Sequence, residues 1–312
     1  MWWKTISRRS AQTARAAHPT GLLDEAFLRR LERLTLAARR SLRGGLNGVH
    51  PSRRRLPAPT FSDHRPYSAS DDLRYVDWNA YARQEHLFLK LGETEQDINV
   101  HLLLDRSRSM DYGQGDQHKL HYGRLLLAAL GYLALTGGDR LHAAAFDADL
   151  DATWGPARVK ARVLDLLGYA AAITPGGASR IEAVLEGYAH RRHGGLLIVI
   201  SDLWSVRDPD ALLRHLPPPR WQVLLLHLLH PDELQPRLSG ELELEDSESA
   251  ARLALSADPA TLAAYRQRVQ RWCELLAAAC ARRGATYERL TTDRPLERSV
   301  IPYLRLRQVL QG

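Results

Sequence analysis

The stretch INVHLLLDRSRSM, residues 98–110, decides the fold. It opens as a short apolar run and stops abruptly in Asp, Ser and Arg, which predicts a buried strand over 98–105 leading into a polar loop. Downstream the chain alternates. Residues 118–136 read as a helix that is apolar on every side from Leu125 onward, and so buried. Strands follow at 140–147, 195–201, 221–228 and 285–290, and helices at 157–171, 179–190, 208–215, 259–283 and 295–310. Asp258 caps the long helix, Pro259 opens it and Gly284 closes it. Short apolar strands alternating with helices predict an α/β fold: a mostly parallel sheet with helices on both faces, occupying 98–312.

Upstream the pattern changes. Residues 86–91 read as a strand, expected to form a hairpin that leads into the main sheet. Residues 57–97 form a small β-rich appendage, with the dense polar block DHRPYSASDDLRYVDWNAYAR at 63–83. Residues 1–56 are a basic segment, with a helix over 22–43 that carries Phe27, Leu31, Leu34 and Ala38 on one face. This helix is expected to pack on the appendage or to offer an electrostatic contact. The net charge is +7, yet residues 1–60 hold 13 Lys and Arg against 3 Asp and Glu, so the remainder is acidic at −3. A basic block of this kind can meet nucleic acid, an acidic partner or anionic lipid.

Several function classes drop out. Two cysteines seven residues apart, Cys273 and Cys280, make neither a disulfide framework nor a zinc module, and they read as core. No apolar run approaches the roughly 20 residues of a bilayer helix, and the chain reads as soluble and cytoplasmic. There is no Gly-Lys dipeptide and hence no Walker A loop, and no G-x-S-x-G, H-E-x-x-H or G-x-G-x-x-G motif.

In doubly wound sheets the working site lies at the carboxyl ends of the strands. Three loops there carry Asp105, Ser107 and Ser109; Gly176-Gly177-Ala178-Ser179; and Ser201-Asp202. The cluster is all hard oxygen donors without His or Cys, which suits Mg²⁺ or a similar hard divalent cation. Without an obvious base to activate water, it reads as a docking device and not an enzyme. His118/His121 and His227/His230 show no third ligand at a telling spacing and read as ordinary histidines.

Asp-x-Ser-x-Ser after a strand, a Gly-Gly helix start and a strand-terminal Ser-Asp resemble the metal-ion-dependent adhesion site of von Willebrand factor A domains. Asp105, Ser107, Ser109 and Asp202 match that pattern; the fifth position, usually Thr, falls at Ser179, with Thr174 as the alternative. The upstream block resembles the bacterial domain of unknown function 58 family: Phe61, Arg65 and Tyr67, then Asp71, Asp72, Arg74, Asp77 and Trp78, then Arg83, with Ser70 where the family usually has Gly. His230-Pro231-Asp232-Glu233-Leu234 and Thr292-Asp293-x-Pro295-Leu296 resemble the same family. The resemblance implies a von Willebrand A-like, non-enzymatic interaction module. It would bind Mg²⁺ and act with a MoxR-type AAA+ ATPase in chaperone-like maturation or assembly of a client protein. A metal-dependent hydrolase using the same oxygens, and nucleic-acid binding through the basic segment, are the alternatives. Arg65, Tyr67, Asp71, Asp72, Arg74, Asp77, Trp78 and Arg83 are expected to form a polar network that holds the appendage together or serves recognition.

Overall fold

A computed structural model describes residues 25, 27, 29–33, 56–57, 63–67, 76–84, 86–92, 98–246 and 251–311. The chain forms two compact units.

The larger unit is built on a six-stranded sheet. Its strands are β4 (Asn99–Asp105), β5 (Arg140–Phe146), β6 (Leu150–Ala157), β7 (Gly195–Ser201), β8 (Trp221–Leu229) and β11 (Thr286–Thr291), in the order β11-β8-β7-β4-β5-β6. All pairs are parallel except β5 with β6. The chain enters at β4, builds outward through β5 and β6, then returns to the other side of β4 with β7, β8 and β11. The reversal lies between β4 and β7, where a doubly wound sheet opens a crevice at the strand ends. Both faces are covered, so β4, β7 and β8 are apolar almost throughout. Helix α3 (Lys119–Thr136) is buried along most of its length. It approaches β4 closely because residue 123 is Gly; a Cβ there would lie 2.7 Å from Leu104 Cδ1. The unit also holds α4 (Val163–Ala172), α5 (Ile181–Arg191), α6 (Pro209–Leu212), α7 (Pro231–Leu234), α8 (Pro259–Arg282) and α9 (Leu296–Ser299); of α10 (Ile301–Gln311), only residues 301–303 belong to it, and the rest counts with the smaller unit. Asp258 caps α8 through Thr261 N at 2.7 Å, as its sequence signals require.

Three details of the larger unit differ from the sequence expectation. Edge strand β6 occupies 150–157, where no strand was expected and where a helix was to begin at 157. Antiparallel pairing with β5 overrides a segment containing Gly155-Pro156. Two strands given no element from sequence, β9 (Gly240–Glu245) and β10 (Arg252–Ala257), pair antiparallel and set Leu244 against Leu253 and Leu242 against Leu255. The basic N-terminal helix, α1 (described between 25 and 33), belongs to this larger unit and not with the appendage. Phe27 and Leu31 are buried, and Arg30 pairs with Glu297 of α9 at 2.8 Å.

The smaller unit contains β1 (Leu56–Pro57), β2 (Asp63–Pro66), β3 (Phe88–Gly92) and α2 (Trp78–Gln84). The strand order is β1-β3-β2, all antiparallel. The expected hairpin between 86–91 and the main sheet is therefore corrected: β3 is the centre of a separate sheet. Its partners β1 and β2 are too short and too rich in Pro and Arg to announce themselves by alternation.

Candidate metal centre

The site starts at the last residue of β4. Asp105 is fully buried and its carboxylate accepts three hydrogen bonds. Its Oδ1 accepts Ser107 N at 2.9 Å, which turns the chain sharply off the strand. Its Oδ2 accepts the Ser201 hydroxyl at 2.7 Å and the Ser179 hydroxyl at 3.1 Å. A short 3₁₀ turn, Arg108–Met110, carries Ser109 back toward Ser107, and the two Oγ atoms lie 3.1 Å apart.

The second loop is stapled to the first through backbone. Arg108 N donates to Gly177 O at 2.9 Å and Gly176 N to Arg106 O at 2.7 Å. Gly177 N and the Arg106 guanidinium both reach Asp147 Oδ2, at 3.0 and 3.1 Å. Gly176 is required here, because a Cβ would sit 2.1 Å from that same oxygen. This register delivers Ser179, not Thr174, to Asp105: Ser179 is buried, while Thr174 is exposed and offers its carbonyl to Arg106. Arg106 is thus held by Asp147 and Asp151, whereas Arg108 is exposed at the rim.

Asp202 follows β7 and is buried beside Asp105. Burial first, and then the Asp202 charge, push the Asp105 carboxyl up to about 6. Leu203, immediately after Asp202, has φ of 54°, a left-handed conformation that a branched residue adopts only when its surroundings demand it. It sits fully buried there, with its N–H on Ser201 Oγ at 3.0 Å.

The structure adds participants beyond the expected ligand set. Lys119, the first residue of α3, is fully buried, with Nζ 2.8 Å from Asp202 Oδ2 and 2.7 Å from Glu233 Oε1. Glu233 comes from α7; its Oε2 accepts His230 N at 2.7 Å and its Oε1 accepts Trp204 Nε1 at 3.1 Å. Ser201, expected only as part of the third loop, donates to Asp105. The one sequence signal for Glu233 was its place in the His230–Leu234 motif; Lys119 had none, because a lysine at a helix start reads as solvated.

Among the described residues no three His, Cys, Asp or Glu side chains converge to hold a metal. A cation here would therefore rest on the serine hydroxyls and at most two carboxylates, one of them shared with Lys119. That all-oxygen set still fits a hard ion, and Asp105, buried and repelled by Asp202, is a carboxylate that added positive charge would stabilise. The histidines have structural tasks. His118 caps α3 and bonds Asp111, His230 caps α7, and His227 Nδ1 lies 2.7 Å from Tyr287 Oη.

The upstream signature is only partly in view. Asp77 caps α2 through Asn79 N and Ala80 N, at 3.0 and 3.1 Å. Trp78 and Arg83 are exposed, so they lie outside any buried network; Tyr67 is half-buried and Arg65 lies in β2. Phe61, Asp71, Asp72 and Arg74 fall outside the described residues.

An open, doubly wound α/β domain with a buried carboxylate–hydroxyl cluster at its switch point defines the class to which this protein belongs. More particularly, the model of the family described as "Protein of unknown function DUF58" matches residues 63–273, and the chain belongs to that family. Similar proteins include the uncharacterized protein Rv1480 of Mycobacterium tuberculosis and the uncharacterized protein Mb1516 of Mycobacterium bovis. Each is 27% identical over 255 residues, 78% of this chain and 79% of the relative. Among solved structures, the conserved hypothetical protein BatB from Bacteroides thetaiotaomicron is similar with a TM-score of 0.44 and 14% identity, covering 69% of this chain and 100% of BatB. An aerotolerance-related membrane protein from Bacteroides fragilis gives 0.43 and 16%, covering 67% of this chain and 99% of its own. In this chain, no helix among the described residues is long and apolar enough to cross a membrane.

Proposed function

We propose that this protein is a non-enzymatic interaction module, von Willebrand A-like in its larger unit, that docks on partners through a metal-ion-dependent adhesion site. Asp105, Ser107, Ser109 and Ser179 would hold the ion, with Asp202 beside them, and Mg²⁺ is the cation that their hard oxygens suit. A cation so held supplies a Lewis-acidic point able to accept a carboxylate from another molecule. The single observation that carries this reading is the convergence of three separate loops on the buried Asp105 carboxylate.

The chain's own residues point to docking and not turnover. Asp105 is consumed by hydroxyl and N–H donors, Asp202 and Glu233 share Lys119, and the neighbouring histidines cap helices or bond Tyr287. The partner proposed is a MoxR-type AAA+ ATPase together with its client, in a chaperone-like maturation or assembly step. A chain lacking a Walker A loop needs ATP chemistry to come from elsewhere.

The test is a pull-down from the native host with the full chain as bait, with Mg²⁺ or with EDTA, and with Asp105→Ala. Retention of a MoxR-type ATPase that is lost with EDTA and in the variant is the expected result. Equal retention in metal-free protein would remove the metal from the mechanism. Absence of any ATPase would remove the partner.

A further inference from the structure

The placement of Lys119 makes this cluster different from a plain ring of oxygens. Its ammonium is fully buried and divided between two carboxylates, Asp202 at 2.8 Å and Glu233 at 2.7 Å. Two carboxylates at hydrogen-bonding distance favour the charged form of this buried amine against the cost of its burial. A buried ion pair is a poor device for stability alone, because desolvating both ions offsets most of their attraction. Apolar residues of similar volume would fill the same space. What the ammonium changes is the electrostatics of the place where a cation would sit. With its side chains ionised, the buried cluster carries three carboxylates, Asp105, Asp202 and Glu233, against the one ammonium of Lys119 that bridges two of them, a formal charge of −2. The ammonium also engages one of the two Asp202 oxygens; the other accepts Trp204 N at 3.3 Å.

We propose that Lys119, held by Glu233, is a specificity-determining residue that fixes the charge of the cluster at −2, matching it to a divalent ion and keeping that ion exchangeable. The inference rests on the reading of the cluster as a cation site. Without the ammonium the cluster would stand at −3, would draw every cation more strongly, and would favour a trivalent one. Without Glu233 it would stand at −1.

Mg²⁺ titration by calorimetry and Tb³⁺ titration by luminescence, on the full chain at pH 8, test this in four proteins: wild type, Lys119→Met, Glu233→Gln and the double variant. Circular dichroism confirms that each is folded. Lys119→Met is expected to bind Mg²⁺ about tenfold more tightly and to gain still more for Tb³⁺. Glu233→Gln is expected to bind more weakly, and the double variant, again at −2, to return close to wild type. A purely structural role for Lys119 predicts the opposite for the first variant and no restoration in the double. A folded Lys119→Met that binds Mg²⁺ no better than wild type overturns the inference. Should that variant not fold, a double variant no tighter than Glu233→Gln overturns it equally. A wild type that binds neither ion overturns the cation-site reading and this inference with it, whereas a wild type that binds while the variants fall in the wrong order overturns only the role of Lys119.

Discussion

Single residues carry the chemistry, and two of them lend themselves to sharp tests. Ser201 gives the buried Asp105 its shortest bond, 2.7 Å. Ser201→Ala leaves that oxygen short of a donor, and urea denaturation is expected to show a loss of about 1–3 kcal/mol. His101 is a buried residue of the central strand β4. It stacks on His142 at 4.8 Å and bonds Tyr188 Oη at 2.9 Å. Burial, and then the neighbouring His142 and Arg192, hold its pKa down at about 3 against an ordinary 6.5. The unfolded chain therefore binds a proton here that the folded chain refuses. Stability contributed by His101 is present in full above pH 6.5 and is lost as the pH falls toward 3. Denaturant midpoints measured between pH 7 and 4 should fall with acid, and His101→Gln should flatten that fall. An unchanged acid slope in the variant would assign the loss to other groups.

At the scale of elements, the site is a matter of loop register. The Gly176-Gly177 pair is legible as a helix-opening turn, but only the tertiary contacts separate the two glycines. A Cβ on residue 176 meets Asp147 Oδ2 at 2.1 Å, while one on residue 177 stands 4.0 Å from it. Gly176→Ala is accordingly expected to displace the loop, withdraw Ser179 and weaken Mg²⁺ binding. Gly177→Ala should bind close to wild type. Equal affinities would show that the staple to Asp147 does not position the ligand. Lys119 belongs to this scale as well. The helix start that looks solvated in sequence lies under the ends of β7 and β8, because α3 crosses the sheet at its buried centre.

Across the whole molecule, the described part of the N-terminal helix is a structural piece of the larger unit. Leu31 is fully buried, so Leu31→Ala is expected to cost about 2–5 kcal/mol in chemical denaturation. Arg30 and Glu297 are both more than a third exposed, so Arg30→Ala is expected to cost about 1 kcal/mol or less. A larger effect from Arg30 than from Leu31 would mean that charge, not burial, seats the helix. This division also bears on the basic charge of residues 1–60. Arg30 is spent on an internal pair, which leaves the segment less free to act as a nucleic-acid surface than its composition suggests.

By itself the sequence determined the alternation of strands and helices, the buried run of β4, the caps of α8 and the oxygen-bearing loops at the strand ends. Those follow from periodicity and from local hydrogen-bonding chemistry, which act over a few residues. Tertiary structure alone decided that β3 centres a separate sheet, that β6 and the paired strands β9 and β10 exist, and that Ser179 reaches Asp105 while Thr174 does not. It alone brought Lys119 between Asp202 and Glu233, since a charge's meaning depends on which distant groups share its burial, and no local pattern records that.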